Sequence, residues 1–251
     1  MIDLFKVVIW SIIFAVVFFV ANSLLIKTYG IEMNKYQLYE NMESDSAIKK
    51  KIEIRGIDVS AYQNRIEWEK VRADNIHFAY IKATEGKTLK DDNFIKNWKG
   101  ARAAGISVGA YHYFTFGSDG IDQAENFIKT VSNEVGNLPP AVDIEFEGNS
   151  TQIPAKEKLK KELKSYIQEL EKFYKQKPIL YVTYESYEKY IMGDFEEYPV
   201  WIRDTSKNPE LKDGKKWALW QFSNSGKVLG INTLVDLNKF NGDEMKFEEK
   251  W

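Results

Sequence analysis

Two hydrophobic patterns alternate along residues 53–251. Short apolar runs rich in β-branched and aromatic residues, at 54–60, 77–83, 107–114, 140–146, 179–183, 200–203 and 217–222, predict strands. Between them, apolar positions recur at helical spacing. Phe94, Ile95, Trp98 and Ala101 share one face, with Gly105 as a stop. Ile121, Ala124, Phe127, Ile128, Val131 and Val135 form a second stripe. Leu159, Leu163, Tyr166, Ile167, Leu170, Phe173 and Tyr174 form a third and longer one, with Pro154 near its start. The early strands alternate with helices and the late ones crowd together. This order predicts an α/β fold, a parallel sheet with helices outside it, and a stretch of this length suits one barrel domain.

A different pattern precedes that domain. Residues 7–26 carry no charge between Lys6 and Lys27. As a helix they would extend about 30 Å, the thickness of a bilayer's hydrocarbon core. A cleaved signal peptide competes with this reading through Ala21 and Ser23, but Leu24, Leu25 and Ile26 carry the apolar run past that point. A buried core helix would need a polar stripe, which Ser11, Asn22 and Ser23 do not form. The sequence therefore divides into a membrane anchor or signal peptide at 1–27, a polar linker at 28–52 and a globular domain at 53–251. An anchored chain is expected at the cell membrane, spanning it once through 7–26; a cleaved one would be secreted. The flanking charges do not set its orientation.

Composition narrows the chemistry. Of 251 residues, 44% are hydrophobic, and 35 Lys+Arg face 37 Asp+Glu. That supplies a core and no general attraction for nucleic acid, so no nucleic-acid partner is expected. The absence of cysteine excludes disulfides, thiolate metal sites and thiol nucleophiles. With His77 and His112 the only histidines, no metal site and no cofactor are expected.

Carboxylates are the remaining candidates. Asp143 and Glu145 interrupt the apolar run Pro139-Pro-Ala-Val-Asp-Ile-Glu-Phe-Glu. Strand periodicity puts both on one face, with Ile144 and Phe146 on the other. Two close, partly buried carboxylates repel, so one holds a proton near neutrality. A neutral acid beside an anion is what glycosidic cleavage needs; two solvated acids on an edge strand would look the same. Asp58 lies in Arg55-Gly-Ile-Asp-Val-Ser and Asp236 in Thr233-Leu-Val-Asp-Leu-Asn, each an acid in an apolar setting that needs a partner or a function. Glu147 leads into Gly148-Asn-Ser and reads as a loop residue.

The sequence resembles the glycoside hydrolase family 25 lysozymes, the Chalaropsis-type 1,4-β-N-acetylmuramidases. The segments that carry the resemblance are Gly56-Ile-Asp-Val-Ser-Ala-Tyr-Gln, Tyr80-Ile-Lys-Ala-Thr-Glu-Gly, Gly109-Ala-Tyr-His-Tyr-Phe, Val142-Asp-Ile-Glu, Pro178-Ile-Leu-Tyr, Trp217-Ala-Leu-Trp-Gln-Phe and Val235-Asp-Leu-Asn-Lys-Phe. It implies an irregular TIM-like β/α barrel with fewer helices than strands. It also implies hydrolysis of the β-1,4 bond between N-acetylmuramic acid and N-acetylglucosamine in peptidoglycan glycan strands. By matching motif, Glu145 looks like the general acid, Asp143 its partner carboxylate, and Asp58 and Asp236 the remaining acids of the pocket. A catalytically silent, lectin-like wall-binding barrel is the alternative. A metal-dependent deacetylase fails for want of ligands.

Sugar rings pack their C–H faces on aromatic rings, and Tyr62, Tyr111, Tyr181, Trp201 and Trp220 stand in or beside strand-end motifs. The resemblance moves Tyr111, Tyr181 and Trp201 toward a groove. Trp98 and Phe127 fit helix stripes and belong to the core. Gln221 carries an amide that suits an acetamido group, and Lys82 is a strand charge suited to pairing with a pocket carboxylate. His112 faces away from Tyr111 and Tyr113 by parity and reads as a packed core histidine; His77 carries no role.

Overall fold

The structure, a computed structural model, describes residues 53–133, 138–151 and 153–250. The expected anchor at 1–27 and linker at 28–52 lie outside these residues. Among the described residues no helix is long and apolar enough to cross a membrane.

Among the described residues nine strands form one sheet: β1 (Arg55–Val59), β2 (Phe78–Glu85), β3 (Leu89–Lys90), β4 (Ser107–Tyr113), β5 (Ala141–Ile144), β6 (Ile179–Val182), β7 (Val200–Arg203), β8 (Leu219–Gly226) and β9 (Val235–Phe240). Eight of them close into a barrel in the order β1, β2, β4, β5, β6, β7, β8, β9, and β9 pairs back onto β1. Neighbours run parallel except at β9, which is antiparallel to both β8 and β1. The two-residue β3 only folds back on β2.

Helices lie outside the first strands: α1 (Trp68–Ala73), α2 (Phe94–Ala103), α3 (Gly120–Ile128), α4 (Lys156–Tyr174) and α5 (Tyr184–Ser186), which runs on into a wide π-helical turn, Tyr187–Ile191. The β7–β8 and β8–β9 connections carry none, so the implied shortage of helices is present, and its cause is that the last strands are joined by loops. The longest stripe became α4, which buries Leu159, Leu163, Tyr166, Ile167, Leu170 and Tyr174 and leaves Phe173 exposed. The second stripe runs past its helix. Asp119 caps α3 through Oδ1, α3 ends at Ile128, and Val131 is buried in the turn that follows. Val135 lies outside the described residues.

Two apolar layers result. Ile57, Ile81, Val142, Ile144, Val182 and Ile202 face the helices, while Phe78, Tyr80, Ala141, Ile179, Trp201 and Leu219 fill the barrel. Glycine makes room inside. A Cβ at Gly109 would stand 2.3 Å from the Tyr80 ring, and one at Gly56 would stand 2.3 Å from the Phe78 ring, each on the neighbouring strand. The C-terminal helix α6 (Glu244–Lys250) presses Phe247 onto Phe78 and Phe240, at ring-centroid distances of 5.7 and 5.3 Å, and floors the barrel at the end where β1 begins.

His112 is fully buried on the helix side, as its parity implied. It bonds Thr84 Oγ1 and Gln123 Oε1 and stacks on Tyr166, and burial lowers its pKa to about 3, so it stays neutral.

Candidate active site

The strands that point into the barrel's open end bring their polar residues to one level. Cross-strand register sets Asp143 beside Tyr113 and Tyr181, Tyr181 beside Trp201, Arg203 beside Gln221, and Asp58 beside Asp236. A cavity of about 340 Å³ opens there, lined by Asp58, Tyr111, Asp143, Glu145, Tyr181, Trp201, Gln221 and Asp236 together with Glu147, Gly148, Arg203 and Asn224. It sits at the carboxyl ends of the parallel strands, where barrel enzymes place their chemistry. A larger depression of about 630 Å³, lined by Lys177, Lys215, Lys216 and Trp217 among others, opens at the opposite end and holds none of the strand-end acids.

All four acids singled out in the sequence meet in that cavity, and burial raises the pKa of each. Glu145 rises to about 7 and Asp236 to about 8. Asp143, deeper in the wall, rises well above the ordinary carboxyl range by desolvation and by its acidic neighbours. Its Oδ1 is buried without a hydrogen-bond partner. Asp58 is also raised by desolvation, but its Oδ2 accepts from Gln221 Nε2 at 3.0 Å and Asn238 Nδ2 at 2.7 Å, and Asp236 adds a third bond. Those donors favour the anion on Asp58 and leave the proton of that pair on Asp236. In the resting cleft the Asp143–Glu145 pair is poised in the opposite sense to the sequence expectation. Glu145 faces the Arg203 guanidinium, Nη1 to Oε2 3.2 Å, and Asp143 has no such contact. The shared proton therefore favours Asp143 until something offsets it.

The aromatic residues divide. Tyr111 and Tyr181 line the wall; Tyr181 donates its hydroxyl to Gln221 Oε1 at 3.0 Å. Trp201 is 2% exposed and forms the cavity floor, wedged against Tyr80 and Tyr181, with Nε1 donating to Asn238 Oδ1 at 2.8 Å. Gln221 is engaged on both ends of its amide, by Tyr181 and Asp58, so it braces the site as well as lining it. Tyr62 does not line the cavity. It is 71% exposed on a short 3₁₀ turn, Ala61–Gln63, capped by Ser60.

Lys82 does not pair with a pocket carboxylate either. Its Nζ bonds Glu85 at 2.7 Å and lies 5.1 Å from the Tyr113 ring centre. The reason is an irregularity in β2 between Lys82 and Thr84, which lets residues three apart share a face. Lys82 still favours ionisation of Asp143 through its charge. Sequence reasoning missed Arg203, Asn238 and Asn224, and it set Glu147 aside as a loop residue although Glu147 continues the alternation of Asp143 and Glu145. A charge ending an apolar strand was the available signal for Arg203; nothing local marked Asn238 or Asn224. Among the described residues no group of three or more acids or histidines is arranged to hold a metal ion.

A closed β/α barrel with paired, proton-holding carboxyls at its strand ends defines a glycosidase-type acid–base site. Comparison with known proteins gives the family. The profile of the glycosyl hydrolases family 25 matches residues 57–231. The chain is 40% identical over 200 residues to the uncharacterized protein YegX of Escherichia coli O157:H7, covering 78% of this chain and 72% of that one. It is 33% identical over 203 residues to lysozyme M1 of Streptomyces globisporus, covering 75% and 68%. The structure of a family 25 glycosyl hydrolase from Bacillus anthracis superposes with a TM-score of 0.75 at 42% identity, covering 78% of this chain and 92% of that one. The chain belongs to glycoside hydrolase family 25, and it is a glycoside hydrolase of the lysozyme class.

Proposed function

We propose that this enzyme cleaves the β-1,4 bond between N-acetylmuramic acid and N-acetylglucosamine in peptidoglycan by a substrate-assisted route. Glu145 protonates the leaving glycosidic oxygen. The acetamido oxygen of the muramic acid attacks its own anomeric carbon as that bond breaks, and Asp143 accepts the acetamido N–H. Water then opens the cyclic intermediate, with Glu145 taking its proton, and the anomeric configuration is retained. Asp58 and Asp236 hold the wall of the pocket and its second proton. Tyr111 and Tyr181 flank the sugar, while Trp201 closes the floor beneath it.

The observation that carries this reading is the convergence of Asp143, on β5, and Glu145, one residue past its end, into one cavity. The unpartnered Oδ1 of Asp143 supports it, since a buried acceptor with no donor is completed by a substrate N–H. Reducing ends released from purified peptidoglycan, compared between the wild type and Glu145→Gln, test it. Release by the wild type and loss in the variant are expected; binding without release in both proteins would instead favour the lectin-like barrel.

Residues 7–26 extend the proposal to location: an anchor through the cell membrane, a polar spacer at 28–52, and the catalytic domain facing the wall. Deletion of residues 1–26 is expected to move the protein from the membrane fraction to the soluble one. An unchanged distribution would remove the anchor.

A further inference from the structure

We propose that Arg203 is an adjustable counter-charge for the cleft, and that Glu147, by holding it, determines whether the reacting proton rests on Glu145. The inference rests on Glu145 being the general acid. It begins with a conflict in the geometry. Arginine does not lose its proton, so a guanidinium touching a carboxyl favours the anion. That is the wrong form for an acid catalyst. Yet Arg203 Nη1 lies 3.2 Å from Glu145 Oε2.

Glu147 resolves the conflict. The same Nη1 lies nearer to Glu147 Oε2, at 2.8 Å, so one nitrogen bridges the two carboxylates and the shorter bond is the one outside the chemistry. The Glu147 side chain is 73% exposed and the Glu145 side chain only 14%, so water stabilises the charge on Glu147 and not on its neighbour. The loop that presents Glu147 is built. Its backbone carbonyl accepts the Tyr113 hydroxyl, Gly148 follows at φ +80°, and Asn149 ties the turn to Phe114 and Phe116 with bonds of 2.9 and 2.8 Å.

The other charges around Glu145 push the same way. The Glu147 charge itself, Asp58 on β1, Asp236 on β9 and the neighbouring Asp143 all oppose its ionisation. Tyr181 on β6 and Tyr113 on β4 feel its charge and stay protonated. Lys82 on β2 acts instead on Asp143, favouring its anion. Arg203 is the group that works against a protonated Glu145, and Glu147 is its second partner. When a substrate N–H meets Asp143 and favours its anion, Arg203 held by Glu147 lets the proton pass to Glu145. Glu147 is thus a positioning residue for the general acid.

The test is the pH profile of kcat on purified peptidoglycan. Glu147→Gln leaves Arg203 to Glu145 alone, so the alkaline limb moves to lower pH by about one unit, with KM nearly unchanged. Glu147→Asp restores the limb. Arg203→Gln moves it to higher pH, and in that background Glu147→Gln produces a clearly smaller shift, the part left by the direct repulsion between Glu147 and Glu145. A folded Glu147→Gln enzyme with the wild-type limb, or with an equal shift when Arg203 is absent, overturns the proposal. Should Arg203→Gln fail to fold, the Gln and Asp variants of Glu147 decide it. NMR titration of labelled glutamate carboxyls in the substrate-free protein, with Glu145 assigned by its loss in Glu145→Gln, reads the same shifts without activity. A missing shift there defeats this inference, whereas an active Glu145→Gln enzyme defeats the general-acid reading.

Discussion

Asp58 and Asp236 stand opposite each other where β9 closes the barrel onto β1, hydrogen-bonded carboxyl to carboxyl. Two amide donors, from Gln221 and Asn238, point at Asp58. The two acids therefore play unequal parts: Asp58 is the acceptor and Asp236 the proton holder. Asp58→Asn replaces one of its two acceptor oxygens by an NH2 donor, so one of the three donors around it, Gln221, Asn238 and the Asp236 hydroxyl, loses its partner. It is expected to cost about 1–3 kcal/mol of stability at neutral pH. Asp236→Asn keeps a donor and should cost much less. Denaturant unfolding of the two variants compares them, and equal losses would contradict the assignment.

The raised carboxyls also set how stability varies with pH. Glu145 rises from 4.5 to about 7 and Asp236 from 3.8 to about 8. Each binds its proton more tightly folded than unfolded, so the folded state takes up protons between those values and stability falls as pH rises through the window. The thermal midpoint is expected to decline from pH 5 to pH 8. Asp236→Asn or Glu145→Gln should flatten the decline, and a midpoint that climbs over that range would be inconsistent with the buried acids.

Substrate assistance makes a stereochemical prediction. The β anomer of the new muramic acid end appears first in an NMR time course, and glycan lacking the acetamido group on that sugar is cut far more slowly. Early appearance of the α anomer would rule the route out. In the same assay Glu145→Gln is expected to lose about 10²–10⁴-fold in rate, the usual contribution of a positioned acid.

Inside the barrel the aromatic residues occupy space vacated by glycine. Gly109→Ala drives a methyl group into the Tyr80 ring from a register partner, and should destabilise the fold by about 1–3 kcal/mol. At the floor, Phe247→Ala empties a buried site against Phe78 and Phe240, with an expected loss of about 3–5 kcal/mol. Urea denaturation measures both, and a neutral Gly109→Ala would show that the ring has room to shift.

Local periodicity reveals what one strand or helix does by itself. Asp143 and Glu145 were legible because two residues of one strand share a face whatever the rest of the chain does. The stripe of α4 was legible for the same reason. Asp58 and Asp236 could be picked out as acids in apolar surroundings, but their pairing depends on β9 running against β1, and the mixed run Val235-Asp-Leu-Asn-Lys-Phe does not announce a strand. Asn238 and Arg203 gain their meaning only from partners on other strands. Tyr62 shows the converse: a motif position beside a strand end, lifted out of the cavity by a capped turn. The Lys82–Glu85 pair depended on a strand irregularity that no side-chain pattern encodes.

The described chain enters through β1 and ends in α6, and both lie at the barrel floor, away from the acids. Neither end of the described chain lines the acid-bearing cavity, so a polymer lying across its mouth meets only strand ends and the loops between them.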